Sequence, residues 1–209
     1  TEIYTLSLHD ALPICRRVML SHRNIASNVH NTAKYVDVLD YVGLSVLPMH
    51  HSYEMSCHVF SGLFMGFTLA VCEGLRHITK NMQEAHVNIM LAVPLIFETI
   101  HKRIMQTAKK NGQYRKLRMM IAISHRLKLY NNQRLVRKLF RPVHEMTGNH
   151  ILQFIAGGAA MDPKIAQDFE AMGFPFIQGY GMTENAPIIS VNRDPPTRSE
   201  ERRVGKECR

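Results

Sequence analysis

The sequence predicts an α/β fold, a parallel sheet with helices on both faces. Two observations carry that expectation. First, short apolar runs alternate with longer runs of helical period from Val18 to Arg193. That is the pattern of strands buried on both faces and joined by crossover helices. Second, Ile151–Ile155 is an apolar run that stops at Gly157-Gly158, and Pro175–Gln178 is another that stops at Gly179-Tyr180-Gly181. Between them Asp162-Pro163 opens a helix, with Asp at a capping position and Pro at the first helical position, and Gly173 closes it after Met172. Strand, helix and strand in about 30 residues imply a right-handed parallel crossover. Both glycine-rich ends then fall on one carboxyl edge, where open α/β sheets bind ligands.

The other elements follow in order. Ser21 can cap a helix running from Asn24 to Val38, with Ile25, Val29, Ala33 and Val36 on its apolar side. His22 on that helix reads as structural. Gly43–Leu47 is a strand broken by Pro48, followed by His50 and His51. Neighbouring residues of an extended segment point to opposite faces, which argues against a metal site at this histidine pair. Ser52–Met65 reads as a helix with Met55, Val59 and Phe60 on one side. Phe67–Val71 is a buried strand, Asn81–His86 a short helix, and Val87–Val93 a buried strand ending at Pro94, which opens a helix to Ala108. A second helix is expected over Tyr114–Arg141, after Asn111-Gly112.

Length and composition bound the function. The chain has 209 residues, 45% of them hydrophobic, enough for one domain with a real core. Its four cysteines form no close pair and no metal spacing, and no signal peptide is visible, so a reduced, cytoplasmic chain is expected. Residues 1–17 and 198–209 show no period that would bury a face. They are similar to translated sequencing-adapter read-through, and are set apart as non-native tails around a domain at 18–197. The formal net charge is +9, and residues 101–141 hold thirteen Lys or Arg and no Asp or Glu. Two readings of that stretch stay open. It is a solvated face on covering helices, or it is drawn to an anionic surface such as lipid headgroups or the phosphates of coenzyme A. Nucleic acid is not expected, since the chain has no Trp and few aromatics interleaved with the charge.

The residues at the carboxyl edge suggest a chemistry. Small residues there let a flat ring lie against backbone. Tyr180 can stack on such a ring, Thr183 offers a hydroxyl to a phosphate, and Glu184 offers a hard oxygen ligand for Mg²⁺. On its own, Gly179-Tyr180-Gly181 reads as a simple turn with Glu184 solvated. The whole run, Gly157-Gly158-Ala159, a spacer, then Tyr180-Gly181-Met182-Thr183-Glu184, resembles the signature of the adenylate-forming (AMP-binding) superfamily, most of all its long-chain fatty acid–CoA ligases. Pro48 to Glu54 resembles the family's second motif, a Pro-x-x-His at a strand end.

The resemblance implies a partial N-terminal (AMP-binding) domain acting on fatty acid, ATP with Mg²⁺, and coenzyme A as co-substrate. A fatty carboxylate would attack the α-phosphate of ATP, and the thiol of coenzyme A would then displace AMP. Carried over residue by residue, Gly157, Gly158, Ala159, Gly179 and Gly181 would lie along the nucleotide, with Met182 beside them, and Tyr180 would stack on adenine. Thr183 would touch the α-phosphate, Glu184 would hold Mg²⁺, and His51 would border the reacting carboxylate. Met55, Phe60 and Phe64 would be acyl-tunnel walls, or ordinary core. The family's phosphate loop, its ribose-binding Asp and the Lys of its small carboxy-terminal domain find no counterpart, so the chain alone is expected to be inactive. Aryl-acid or amino-acid ligases of the same superfamily, and a non-catalytic basic module docking peripherally at the inner membrane face, are the alternatives.

Overall fold

The computed structural model describes residues 18–34 and 41–192. The tails at 1–17 and 198–209, and the helix end at 36–38, lie outside the described residues. Six strands form one sheet in the order β2-β1-β3-β4-β5-β6. They are β1 Val42–Ser45, β2 Thr68–Val71, β3 Ile89–Ala92, β4 Gln153–Ala156, β5 Phe176–Gly181 and β6 Ile188–Val191. The first five run parallel, and β6 returns antiparallel to β5. The strand order reverses between β1 and β3, which makes the carboxyl ends of those strands a topological switch point.

Alternation along the strands sends side chains to two separate layers. On one face Leu44, Met90, Ala92, Phe154, Ala156 and Phe176 meet Phe97, Ile100 and Ile104 of α5 (Pro94–Lys110) and Ala166 and Phe169 of α9 (Pro163–Ala171). Phe97, Phe154 and Phe169 are wholly buried there, and each contributes roughly 1.5–3 kcal/mol by leaving water. The opposite face carries Leu91 and Ile155, packed under Tyr53 and Cys57. Those two residues come from α2 (Ser52–Glu54) and a π-helical segment (Met55–Phe60), which continue into α3 (Ser61–Met65). α1 (His22–Ala33) packs against this segment from outside. Among the described residues, no helix is long and apolar enough to cross a membrane.

The crossover from β4 to β5 has the expected anatomy. Asp162 caps α9 by accepting from the Lys164 N–H at 2.8 Å, and Gly173 ends the turn at φ +88°. Four expectations need correction. The strand at 67–71 is an edge strand with Val71 largely exposed, not a buried one. The short helix α4 spans Ile78–Glu84, earlier than 81–86. The long basic helix is broken: α6 (Tyr114–Arg126) stops where Lys128 turns left-handed at φ +52°, and a 3-10 turn follows at Leu129–Asn131. Asn132 then caps α7 (Gln133–Leu139) by accepting from the Leu135 N–H, and Pro142 lies in the first turn of α8 (Arg141–Met146). Finally, Gly179-Tyr180-Gly181 is not a bend. β5 runs through it and pairs with β6, which the sequence pattern did not reveal.

Candidate functional site

The bend at the tip of β4 is made by two glycines with different reasons. Gly157 keeps its N–H on the Ala92 carbonyl at 3.1 Å. The Tyr53 ring lies so close that a Cβ on Gly157 would sit 2.5 Å from Cζ and 2.6 Å from the hydroxyl. Gly158 turns the chain at φ +84°, a conformation that favours glycine. The loop then passes β5, where Gln178 Nε2 donates to the Ala159 carbonyl at 3.5 Å.

The tip of β5 is built by its hairpin. Gly181 lies directly on the Pro187 carbonyl, where a Cβ would collide. The Met182 N–H donates to that same carbonyl at 2.9 Å. Thr183–Asn185 is a 3-10 turn ended by Ala186 at φ +62°. Tyr180 is half exposed, and Glu184 is exposed with no ion pair among the described residues.

The histidine motif joins these two tips. His51 caps α2: its Nδ1 accepts from the Tyr53 N–H at 3.2 Å. In the neutral ring that leaves the proton on Nε2, available to an oxygen at the sheet edge. The next residue, Ser52, shares a hydrogen bond of 3.2 Å with the Thr183 hydroxyl. Tyr53, one further, covers Gly157. Three stretches distant in sequence thus meet at the carboxyl edge. Burial, reinforced by the charges of Cys57 and Glu54, pushes the Tyr53 phenol well above its usual pKa, so it stays a neutral donor. Its buried hydroxyl has no partner.

An apolar cavity opens beneath Tyr53, over the face of the sheet that carries Ile89, Leu91, Ile155 and Ile177. From the Ser52–Met65 segment its wall takes Tyr53, Cys57, His58, Ser61 and Met65, whereas Met55, Phe60 and Phe64 do not line it. The reason is the direction of the helix faces. Phe64 is 58% exposed and its ring meets the edge of His30 of α1 at 5.7 Å. Two polar residues sit deep in this wall, where Glu54 Oε1 and His58 Nδ1 pair at 2.9 Å, and the imidazole lies on Gly43, which has no side chain to obstruct it.

Sequence reasoning missed Ser52, Tyr53 and Gln178 as site residues. The first two stand inside the histidine motif, so their position was the available signal. Among the described residues there is no cluster of His, Cys, Asp or Glu that could by itself cage a metal. A lone exposed carboxylate beside a hydroxyl suits Mg²⁺, which keeps several waters and shares its shell with substrate phosphates rather than filling it with protein ligands.

A family model described as "AMP-binding enzyme" matches residues 16–208. Among curated proteins, the chain is 27% identical to the "Long-chain-fatty-acid--CoA ligase heimdall" of Drosophila melanogaster, over 86% of this chain and 29% of that protein. It is 26% identical to "Long-chain-fatty-acid--CoA ligase 3" of Saccharomyces cerevisiae, over 83% and 26%. It is 23% identical to the chloroplastic "Long-chain-fatty-acid--[acyl-carrier-protein] ligase AEE15" of Arabidopsis thaliana, over 82% and 29%. The chain therefore spans less than a third of the length of these relatives. Two solved structures share the fold: apo MatB of Rhodopseudomonas palustris (TM-score 0.58, 21% identity, 84% of this chain, 28% of that one), and the N-terminal domain of FACL13 from Mycobacterium tuberculosis (TM-score 0.55, 21% identity, 81% of this chain, 34% of that one).

Proposed function

The chain belongs to the AMP-binding enzyme family, and from that premise we propose that it is an internal fragment of an ATP-dependent long-chain fatty acid–CoA ligase. The observation that carries the reading is the hydrogen bond between the Ser52 and Thr183 hydroxyls, with Tyr53 laid on Gly157. It joins the histidine motif to both strand tips, so one edge can serve a carboxylate and a nucleotide together. The apolar cavity below that edge, walled by Ile89, Leu91, Ile155 and Ile177, favours an alkyl chain over an amino acid.

In this reading the strand tips, Gly157 to Ala159 and Gly179 to Met182, line the nucleotide. Tyr180 offers a half-exposed ring to adenine. The adenylation step brings a carboxylate onto a phosphate, two anions, so its barrier falls only if donors and a cation neutralise the developing charge. His51 offers Nε2–H to the carboxylate side. Thr183, with its hydroxyl already oriented by Ser52, faces the α-phosphate. Glu184 would hold Mg²⁺, which supplies charge neutralisation at the phosphates when bound. Coenzyme A enters as the thiol that displaces AMP. The parent acts in the cytoplasm, and the basic stretch 101–141 holds it near the inner membrane face from which fatty acids come.

An ATP–pyrophosphate exchange assay with long-chain fatty acids tests the reading. The chain alone should give no exchange, and turnover above background would refute that part. The product of the uninterrupted parent gene should exchange, and Glu184→Gln should lower its rate by roughly 100-fold or more, the usual loss when a charge-stabilising group is removed. Unaltered exchange in that variant would remove Glu184 from the metal site.

A further inference from the structure

We propose that Asn28 is a positioning residue that fixes the Thr183–Glu184 turn, an inference that rests on the ligase reading of that turn. Asn28 lies on α1, 155 residues before Thr183 in sequence, yet its side chain is committed to the segment just after Glu184. Its Nδ2 donates to the Asn185 carbonyl at 3.1 Å and to the Ile188 carbonyl at 2.9 Å, and its Oδ1 accepts from the Ile188 N–H at 3.3 Å. Both donor hydrogens and one acceptor lone pair of a single carboxamide therefore bind one hairpin turn.

That commitment is asymmetric in a useful way. Ser52 grips the turn at Thr183 from the α2 side, and Asn28 grips it at Asn185 and Ile188 from the α1 side. Glu184 stands between these holds with its own carboxylate exposed. An exposed carboxylate on a three-residue 3-10 turn has little to define its position except the backbone that carries it. The Asn28 carboxamide supplies that definition, and it sets the carboxylate relative to α1, the helix whose start follows directly on residues 18–21. The two donated bonds require an amide. An aspartate of the same shape would face the Asn185 and Ile188 carbonyls with an oxygen.

The test compares Asn28→Ala, Asn28→Asp and wild type in two measurements. In the 209-residue chain, amide hydrogen–deuterium exchange should quicken about tenfold or more at Asn185–Ile188 in both variants, with the melting temperature little changed. In the uninterrupted parent enzyme, the Mg²⁺ concentration for half-maximal ATP–pyrophosphate exchange should rise about tenfold, with the KM for fatty acid unchanged. Unchanged protection of the turn overturns the proposal. Quickened exchange with an unmoved Mg²⁺ curve also overturns it, since Asn28 would then be structural only. A wild-type parent with no exchange at all would instead sink the ligase reading, and the positioning role with it.

Discussion

At the scale of single residues, the site depends on groups that are absent as much as on groups that are present. Gly157 and Gly181 both lie where a Cβ would intrude, but against different obstacles. At Gly157 the obstacle is the Tyr53 side chain, which can move. At Gly181 it is the Pro187 backbone, which can move only if the hairpin does. Gly157→Ala should therefore destabilise the chain by about 1–3 kcal/mol, the usual cost of overpacking, and Tyr53→Leu should recover much of that loss. A denaturant-melt double-mutant cycle reads the coupling, expected at roughly 1 kcal/mol or more for residues in contact. Additive losses would show that the ring does not press on Gly157. Gly181→Ala has no such second-site remedy in a side chain.

At the scale of elements, the strands and capped helices were legible where the cue was local. Asp162-Pro163 and Gly173 bound α9 because capping and left-handed stops act within a few residues. The break after α6 was not legible from apolar period, because Leu135 and Leu139 keep the helical spacing across it. The signal was Asn131-Asn132, whose role as a cap for α7 becomes clear only once the chain has turned. β6 hid for another reason: its antiparallel pairing with β5 is set by a turn and by Asn28, which is distant in sequence, and of its isoleucines Ile188 packs on the core while Ile189 is exposed. Which side chains of Ser52–Met65 line the apolar cavity was not legible, because a widened π-helical segment shifts which of them face the sheet. α9 also carries a pH-sensitive group. Burial pushes the Glu170 carboxyl up to about 7. Below pH 4.5 both folded and unfolded chains hold the proton, and no cost arises. As pH rises the unfolded chain loses it first, so stability falls up to pH 7 and then stays lowered by about 3 kcal/mol. Glu170→Gln should raise the melting temperature several degrees at pH 8 and little at pH 5. His144, whose pKa is lowered by burial, acts in the opposite sense below pH 6.5 and is common to both proteins. Equal shifts at both pH values would refute the linkage.

At the scale of the whole molecule, charge is distributed unevenly, and the broken helices give it a surface. α6 turns Leu117 and Ile121 to the core, while Met119, Ile123 and, just past its end, Leu127 are 58%, 43% and 64% exposed. Arg115, Lys116, Arg126 and Lys128 stand among them, and no acidic residue lies anywhere in 101–141. Apolar side chains ringed by cations suit the headgroup region of an anionic bilayer, where each Lys or Arg near the surface contributes about 1 kcal/mol. A purely solvated face has no use for three large apolar groups at its centre. The chain should sediment with phosphatidylcholine vesicles containing phosphatidylglycerol, and not with phosphatidylcholine alone. Raising salt from about 0.01 to 1 M shortens the screening length from about 30 to 3 Å and should release most of it. Replacing Met119, Ile123 and Leu127 together by Ser should weaken binding at low salt without changing its salt dependence, because the cations remain. Arg115→Glu with Arg126→Glu should also weaken binding at low salt, and in addition flatten the salt curve. If neither set alters sedimentation, or if neutral vesicles bind equally well, the basic face is only solvated.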